Sequence, residues 1–304
     1  MRVRRSFVGI DINATGLTFA ALQRERSSFQ LSGVRQESLE GVFEFSSQRP
    51  NVLDARRFVE ALQRGVDLLA RNGEQIALSL PDRVGRIYLT EVEMPFKSHQ
   101  EGVDILKWSL KNSLPADPSQ VKLDFQILEK YEDGRRRCLA AAIALPVLEQ
   151  YEQLVSEAGL RAVMVDFHSL NLYNYYHYRL ELGEEFVLVG METDRMSVQY
   201  FSGRALAYQR VREGSLGRDR LFRELNRTLA EAQASFPAIL RCAVYVHLDT
   251  DLDDEMQALL SASFEREVKI LDPQFKRLLG VETSNNLPPG GALAAATAAA
   301  ESLM

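Results

Sequence analysis

Two stretches of this chain, starting at Phe7 and Leu188 and so about 180 residues apart, read alike. FVGIDINATGLTFAALQ and LVGMETDRMSVQYFSGRALAYQRV each run apolar, reach a carboxylate, turn through polar residues with a hydroxyl, and run apolar again. Each is the pattern of a strand, a tight turn and a second strand. A duplicated unit of this kind predicts two related lobes facing each other across a cleft, with both turns on the cleft. At 304 residues there is room for about two domains, each able to bury its own core.

The elements between the repeats fill in a fold. Strands are expected over Phe7–Ile12, Thr18–Leu22 and Gln30–Gln36. A helix capped by Asp54 then runs to Asn72, with Phe58, Leu62, Val66 and Leu69 on one face, and a buried strand Gln75–Leu80 ends at Pro81. From Arg83 the grain changes to a strand (Val84–Val92), a helix (Ser98–Leu114) and two strands (Val121–Lys130, Arg135–Ala144) joined by Asp133-Gly134, a strong hairpin signal. This β-α-β-β piece, residues 83–144, is expected as a small inserted subdomain. It divides a first lobe (1–82 plus 145–182) from a second (183–304).

The first lobe resumes with a helix carrying Val147, Tyr151, Leu154 and Val155, closed by Gly159, and a strand Ala162–Asp166; a helix Ser169–Leu182 bridges to the second lobe. That lobe begins with strands Phe186–Met191, Met196–Phe201 and Ala205–Arg212. A helix with Leu221, Leu225 and Leu229, a strand Ala243–Leu248, a helix Leu252–Phe264, a short strand Val268–Leu271 and an alanine-rich terminal helix from Ala292 follow.

Charge and cysteine content exclude several classes. A net charge of −6 argues against a nucleic-acid binder working through counterion release. Two distant cysteines, Cys138 and Cys242, form neither a disulfide framework nor a zinc spacing. No run reaches the ~18–20 apolar residues of a membrane span, and no signal-peptide core opens the chain, so a cytoplasmic protein is expected.

The order of elements, the turn DINATG (Asp11–Gly16), its repeat at Val189–Thr193, the stretch from Leu80-Pro81 through KLDFQIL (Lys122–Leu128) and LAAAIALPVLEQYEQLVSEAGLRAVMVD (Leu139–Asp166) resemble the PilM-type type IV pilus-assembly proteins. These belong to the actin-like ATPase superfamily, with the cell-division protein FtsA. The resemblance covers nearly the whole chain. It implies an α/β, two-lobed actin-like (RNase H-like) fold. It also implies a partner: a PilN-like inner-membrane protein whose cytoplasmic N-terminal peptide docks in a groove involving the inserted subdomain. A location at the inner membrane through protein contacts follows from that.

In such proteins the first turn typically reads D-I-G-S/T and the second D-I-G, because glycine lets N–H groups close on phosphate while the aspartates hold Mg²⁺ or its waters. Here Asp11 and Thr15 are kept and Asn13 stands at the glycine, a substitution that positive φ would tolerate. The second turn departs further. Gly190 stands at the aspartate and Glu192 at the phosphate-facing glycine, followed by Thr193. A carboxylate there repels phosphate by about 1 kcal/mol if water stays and several if it leaves. After strand Ala243–Leu248, His247-Leu248-Asp249-Thr250-Asp251 has no glycine to approach adenosine; Gly290-Gly291 falls too late, and Gly280 is a weak substitute.

Asp11, Asn13, Thr15, Gly190, Glu192 and Thr193 are therefore expected to be the remnant of a nucleotide cleft, with no catalytic residue, no resident cofactor and no metal. In one alternative ATP and Mg²⁺ still bind; in another, Glu192 ligates a metal. The four histidines, His99, His168, His177 and His247, show no ligand or catalytic spacing and are expected in structural or solvated roles. Asp249, Asp251, Asp253 and Asp254 lack the glycine and glutamate of a calcium loop and are expected to cap the next helix. Tyr173, Tyr175, Tyr176 and Tyr178 cannot all face one core, so Tyr173 and Tyr176, with Trp108, are candidate partner contacts. The function expected is that of a non-catalytic actin-like scaffold linking a cytoplasmic motor to a membrane subunit of a pilus or secretion machine. The alternative is an ATP-binding or slowly hydrolysing relative.

Overall fold

In the computed structural model, which describes residues 6–25, 28–70, 75–214, 217–278 and 291–304, the two repeats head two separate five-stranded sheets. The first is built from β1 (Ser6–Asn13), β2 (Gly16–Glu25), β3 (Ser28–Ser38), β4 (Gln75–Leu80) and β8 (Arg161–Phe167), in the order β3-β2-β1-β4-β8. The second holds β9 (Phe186–Glu192), β10 (Arg195–Ser202), β11 (Ala205–Glu213), β12 (Ala243–Leu248) and β13 (Val268–Ile270), in the order β11-β10-β9-β12-β13. The topologies correspond. In each sheet the leading strand pairs antiparallel with the next and parallel with a later one, so both turns end up at the same end of their sheets.

Helices cover both faces of each sheet, as strands with continuous apolar runs require. On the first, α1 (Ala55–Leu69) and α3 (Leu145–Glu157) bury Phe58, Leu62 and Val66 against Tyr151, Leu154 and Val155. Asp54 caps α1 by accepting from the N–H of Arg57 at 3.0 Å. On the second, α5 (Arg218–Ser235) and α6 (Asp254–Phe264) cover the face carrying Val187, Val189 and Val198. A four-residue turn of helix, α7 (Phe275–Leu278), precedes the last helix.

Between the sheets lie α4 (His168–His177) and α8 (Ala294–Glu301). One apolar cluster joins Ala20, Leu22 and Leu31 of the first sheet to Phe186, Leu188 and Phe201 of the second through Tyr175, Tyr176 and the alanines of α8. The small side chains of α8 let its backbone reach β1. A Cβ on Gly9 would stand 2.0 Å from the carbonyl oxygen of Ala296, which only glycine avoids. By packing, the terminal helix thus belongs to the first lobe as much as to the second, where the sequence boundary at 183 placed it.

The insertion is β5 (Gly85–Val92), α2 (His99–Ser109), β6 (Val121–Lys130) and β7 (Arg136–Ala144), a three-stranded sheet in the order β5-β7-β6 around Val92, Leu106, Val121 and Cys138. Two helices end earlier than their apolar patterns suggest. Helix α2 stops at Ser109, before Leu114, because Ser113 turns back, its N–H and hydroxyl both bonding the carbonyl of Leu110. Helix α4 stops at His177, before Leu182, where the N–H groups of Arg179 and Leu180 both fold onto the carbonyl of Tyr176. Asn72, the expected end of α1, lies outside the described residues.

Candidate functional site

The two turns meet at the ends of β1 and β9, and they meet directly: the N–H of Ala14 donates to Oδ2 of Asp194 across the lobes at 3.0 Å. Of the sequence-derived residues, Asp11, Asn13, Thr15, Glu192 and Thr193 line one cavity of about 250 Å³, together with Asp249, His168 and Arg195.

The N–H groups that would cradle a phosphate are already paired. Oδ1 of Asn13 accepts from the N–H groups of Thr15 (2.9 Å) and Gly16 (2.8 Å) and from the Thr15 hydroxyl (3.0 Å). Asn13 does this with its side chain, and it is not among the described residues at positive φ, contrary to expectation. In the second turn the N–H and hydroxyl of Thr193 both donate to Oδ2 of Asp249, at 2.8 and 2.9 Å. Asp249 therefore ties the turn, while Asp253 caps α6 by accepting from the N–H of Met256 at 2.7 Å. Gly190 has a packing cause: a Cβ there would stand 2.6 Å from Oγ of Ser197 and 2.9 Å from Leu172, so the aspartate position is filled by α4 and β10.

Between the turns runs a buried charge network. Oδ1 of Asp11 accepts from the Ser79 hydroxyl at 2.6 Å and lies 2.8 Å from Nδ1 of His168, whose Nε2 lies 2.8 Å from Oε1 of Glu192. Glu192 Oε2 meets Nε of Arg195 at 3.0 Å, and the same nitrogen is 3.0 Å from Asp194. His247 adds Nε2 at 3.4 Å from Glu192, and its Nδ1 is 2.7 Å from the hydroxyl of Tyr176. Nη1 of Arg195 is buried without a partner.

With His168 4% exposed and Glu192 side chain 8% exposed, water screens little of this. Burial and the neighbouring Arg195 oppose a charge on His168, but Asp11 and Glu192 prevail and raise its pKa to about 10, so it is an imidazolium donating through both nitrogens. Burial would raise the Glu192 pKa as well, yet His168 and Arg195 hold it well below the ordinary carboxylate range. The residues that a metal and a phosphate would separate in an actin-like ATPase are thus bridged here by two of the chain's own cations.

Residue reading found the carboxylates and missed the cations. His168 and His247, expected in structural or solvated roles, lie at the centre of the site. Their only sequence signal is position, at the start of α4 and near the end of β12. Gly291, which seemed too late, returns to the end of β12, its N–H donating to Leu248 at 2.9 Å, and lines the cavity; Gly280 and Gly290 lie outside the described residues. Among the described residues no cluster of three or more metal-ligating side chains is present. Of the aromatic candidates, Trp108 is 71% exposed and Tyr173 is half-buried, but Tyr176 is core at 1% and so is withdrawn from any surface; Tyr178, just past the end of α4, is 79% exposed.

No protein-family model matches the sequence, and no curated protein does. Solved structures do. A PilM–PilN type IV pilus biogenesis complex aligns over 98% of this chain and 97% of the other, with a TM-score of 0.77 at 16% identity. A Bacteroides thetaiotaomicron protein described as having an actin-like ATPase fold aligns over 92% and 94% (TM-score 0.53, 11% identity). The cytoplasmic domain of EpsL, an inner-membrane component of the Vibrio cholerae type II secretion system, aligns over 98% and 95% (TM-score 0.51, 12% identity). The chain has the two-lobed actin-like ATPase fold.

Proposed function

We propose that this chain is a non-catalytic actin-like scaffold of a type IV pilus or related secretion machine, working at the cytoplasmic face of the inner membrane. The observation that carries this is the internal bridge Asp11–His168–Glu192–Arg195, supported by the paired N–H groups of both turns. A nucleotide would have to displace an amide or carboxylate oxygen at each donor and then set its phosphates beside Glu192. Both steps oppose binding.

The partner in this proposal is a PilN-like inner-membrane protein, engaged through its N-terminal cytoplasmic peptide. The site for it is a groove of about 270 Å³ between the insertion and the first lobe, lined by Lys122, Asp124, Leu148, Val163, Met164 and Asp166. Strand β8 is the free edge of its sheet there, so an extended peptide has both unpaired backbone groups and apolar side chains to meet. No helix among the described residues is long and apolar enough to cross a membrane, which fits attachment through a partner.

Thermal melting in Mg·ATP tests the first part. A binder with ligand at ~100 times its Kd gains ~2.7 kcal/mol, a rise of several degrees; no rise is expected here. A Mg·ATP-dependent rise that Asp11→Ala removes would overturn the scaffold proposal in favour of an ATP-binding relative.

A further inference from the structure

A cavity of about 430 Å³ lies away from the cleft, where α4, the β6–β7 hairpin and the β10–β11 hairpin come together. Its walls are mixed, with Gln126, Asn174 and His177 among the polar groups. Leu128 and Leu139 come from the insertion, Leu170 from α4 and Leu206 from the second lobe, beside the Tyr173 ring stacked on Phe201 with centroids 4.3 Å apart.

Gln199 of β10 lines this cavity, is fully buried, and has an Oε1 without a hydrogen-bond partner. The order of protons along a relay shows which end of the amide is bare. The carboxylate of Asp82 accepts from the Ser169 N–H at 3.1 Å and from its hydroxyl. Ser169 Oγ must then accept from Nε2 of Gln209, at 2.7 Å, and Oε1 of Gln209 accepts from Nε2 of Gln199 at 3.4 Å. What remains on Gln199 is an acceptor.

Asp166, at the end of β8, lines the same cavity. Its carboxylate accepts from the N–H of Phe167 at 2.7 Å, and the charged groups acting on it, Asp82 and Asp124, are both acidic. Burial, the larger effect, and these acids raise its pKa to about 6, as befits a carboxylate lacking a cation. Arg204 also lines the cavity, but it is paired with Glu181 at 3.6 Å.

We infer that the cavity takes an alkylguanidinium or alkylammonium group, the arginine or lysine side chain of a docked peptide. Its charge meets Asp166, one N–H meets Oε1 of Gln199, and its methylene stem lies along the leucines. The inference rests on the peptide-docking proposal for the source of that side chain, since Asp166 also lines the β6–β8 groove. A peptide occupying both would tie the insertion to the second lobe.

The test is titration of the full chain with n-butylguanidinium and with its neutral isostere n-butylurea, followed by NMR of the cavity leucine methyls. The guanidinium is expected to bind about tenfold more tightly than the urea, and Asp166→Asn and Gln199→Met each to remove most of that preference. Thermal melts verify that both variants fold. Equal binding of the two probes, or guanidinium binding unchanged in both variants, overturns the inference. Met164→Glu, which blocks the groove and leaves the cavity intact, separates the two proposals: guanidinium binding that survives while peptide affinity is unchanged supports the cavity and refutes docking in the groove, and guanidinium binding lost in this variant overturns the cavity as a separate site.

Discussion

Two interfaces within this molecule have been finished in opposite ways. Between the lobes, where an actin-like ATPase holds its nucleotide, His168 and Arg195 neutralise Asp11 and Glu192, and the side chains concerned are nearly inaccessible to water. Between the first lobe and the insertion, Val163 and Met164 stand 40% and 42% exposed on a strand whose outer edge has no strand partner among the described residues. The first surface supplies its counter-charges itself. The second leaves apolar area and backbone groups unspent, which is the condition for binding something outside the chain. Under the proposed function, the protein binds through the second, is held together by the first and acts by position rather than by turnover.

The comparison breaks most decisively at His168. His168→Leu fills the space but leaves Asp11 and Glu192 facing each other with one cation removed. Removing one partner of a buried ion pair costs about 3–5 kcal/mol, which urea unfolding followed by circular dichroism would measure. A loss under about 1 kcal/mol would mean that the bridge does not hold the lobes together. His168→Gln, which still donates on one side, is expected to lose less.

The next effect is on pH dependence. The folded pKa of His168 is about 10, raised above the ordinary 6.5, so its stabilisation is complete below 6.5 and disappears as pH climbs from 6.5 through 10. Glu192, whose pKa is depressed, adds stability present above about 4.5 and lost as pH falls below it. Burial raises Asp166 to about 6 and Glu213 to about 7, so stability falls as pH rises from their ordinary pKa values through these and stays lost above them, which also favours the acid side. Stability should therefore decline by a few kcal/mol between pH 7 and 10, with most of that slope absent in His168→Gln. A flat profile in the wild type would contradict the imidazolium.

The difference between the two interfaces also explains what could be read in advance. Strands such as Phe7–Ile10 and Val187–Met191 announce themselves by apolar runs, and the insertion by its Asp133-Gly134 hairpin, because those signals are local. The damage to the turns was legible for the same reason: Glu192 and Gly190 can be compared with a pattern position by position. The repair was not legible. His168 lies 157 residues from Asp11 and 24 from Glu192, and only the packing of α4 between the sheets joins them. Tyr176 failed as a surface candidate for a related reason, since helical spacing shows which rings diverge but not that a second sheet waits on the other side to bury one of them.

The smallest effect probes the open interface. Val163 sits at an irregularity in the pairing of β8 with β4, between Ala162, opposite Ile76, and Met164, opposite Ala77. A bulge on an edge strand discourages indiscriminate pairing, so side chains in the groove should decide what docks. Met164→Glu places a charge among Asp124, Glu152 and Asp166, which line the same groove. Exposed as it is, the substitution should change unfolding free energy by no more than about 0.5 kcal/mol. Affinity for an N-terminal peptide of the PilN-like partner should fall about tenfold or more, equivalent to ~1.4 kcal/mol, by fluorescence anisotropy. The contrast is the point: His168→Leu should cost folding stability, and Met164→Glu should cost binding without it. If Met164→Glu leaves affinity intact, the peptide lies elsewhere and the exposed edge of β8 needs another occupant.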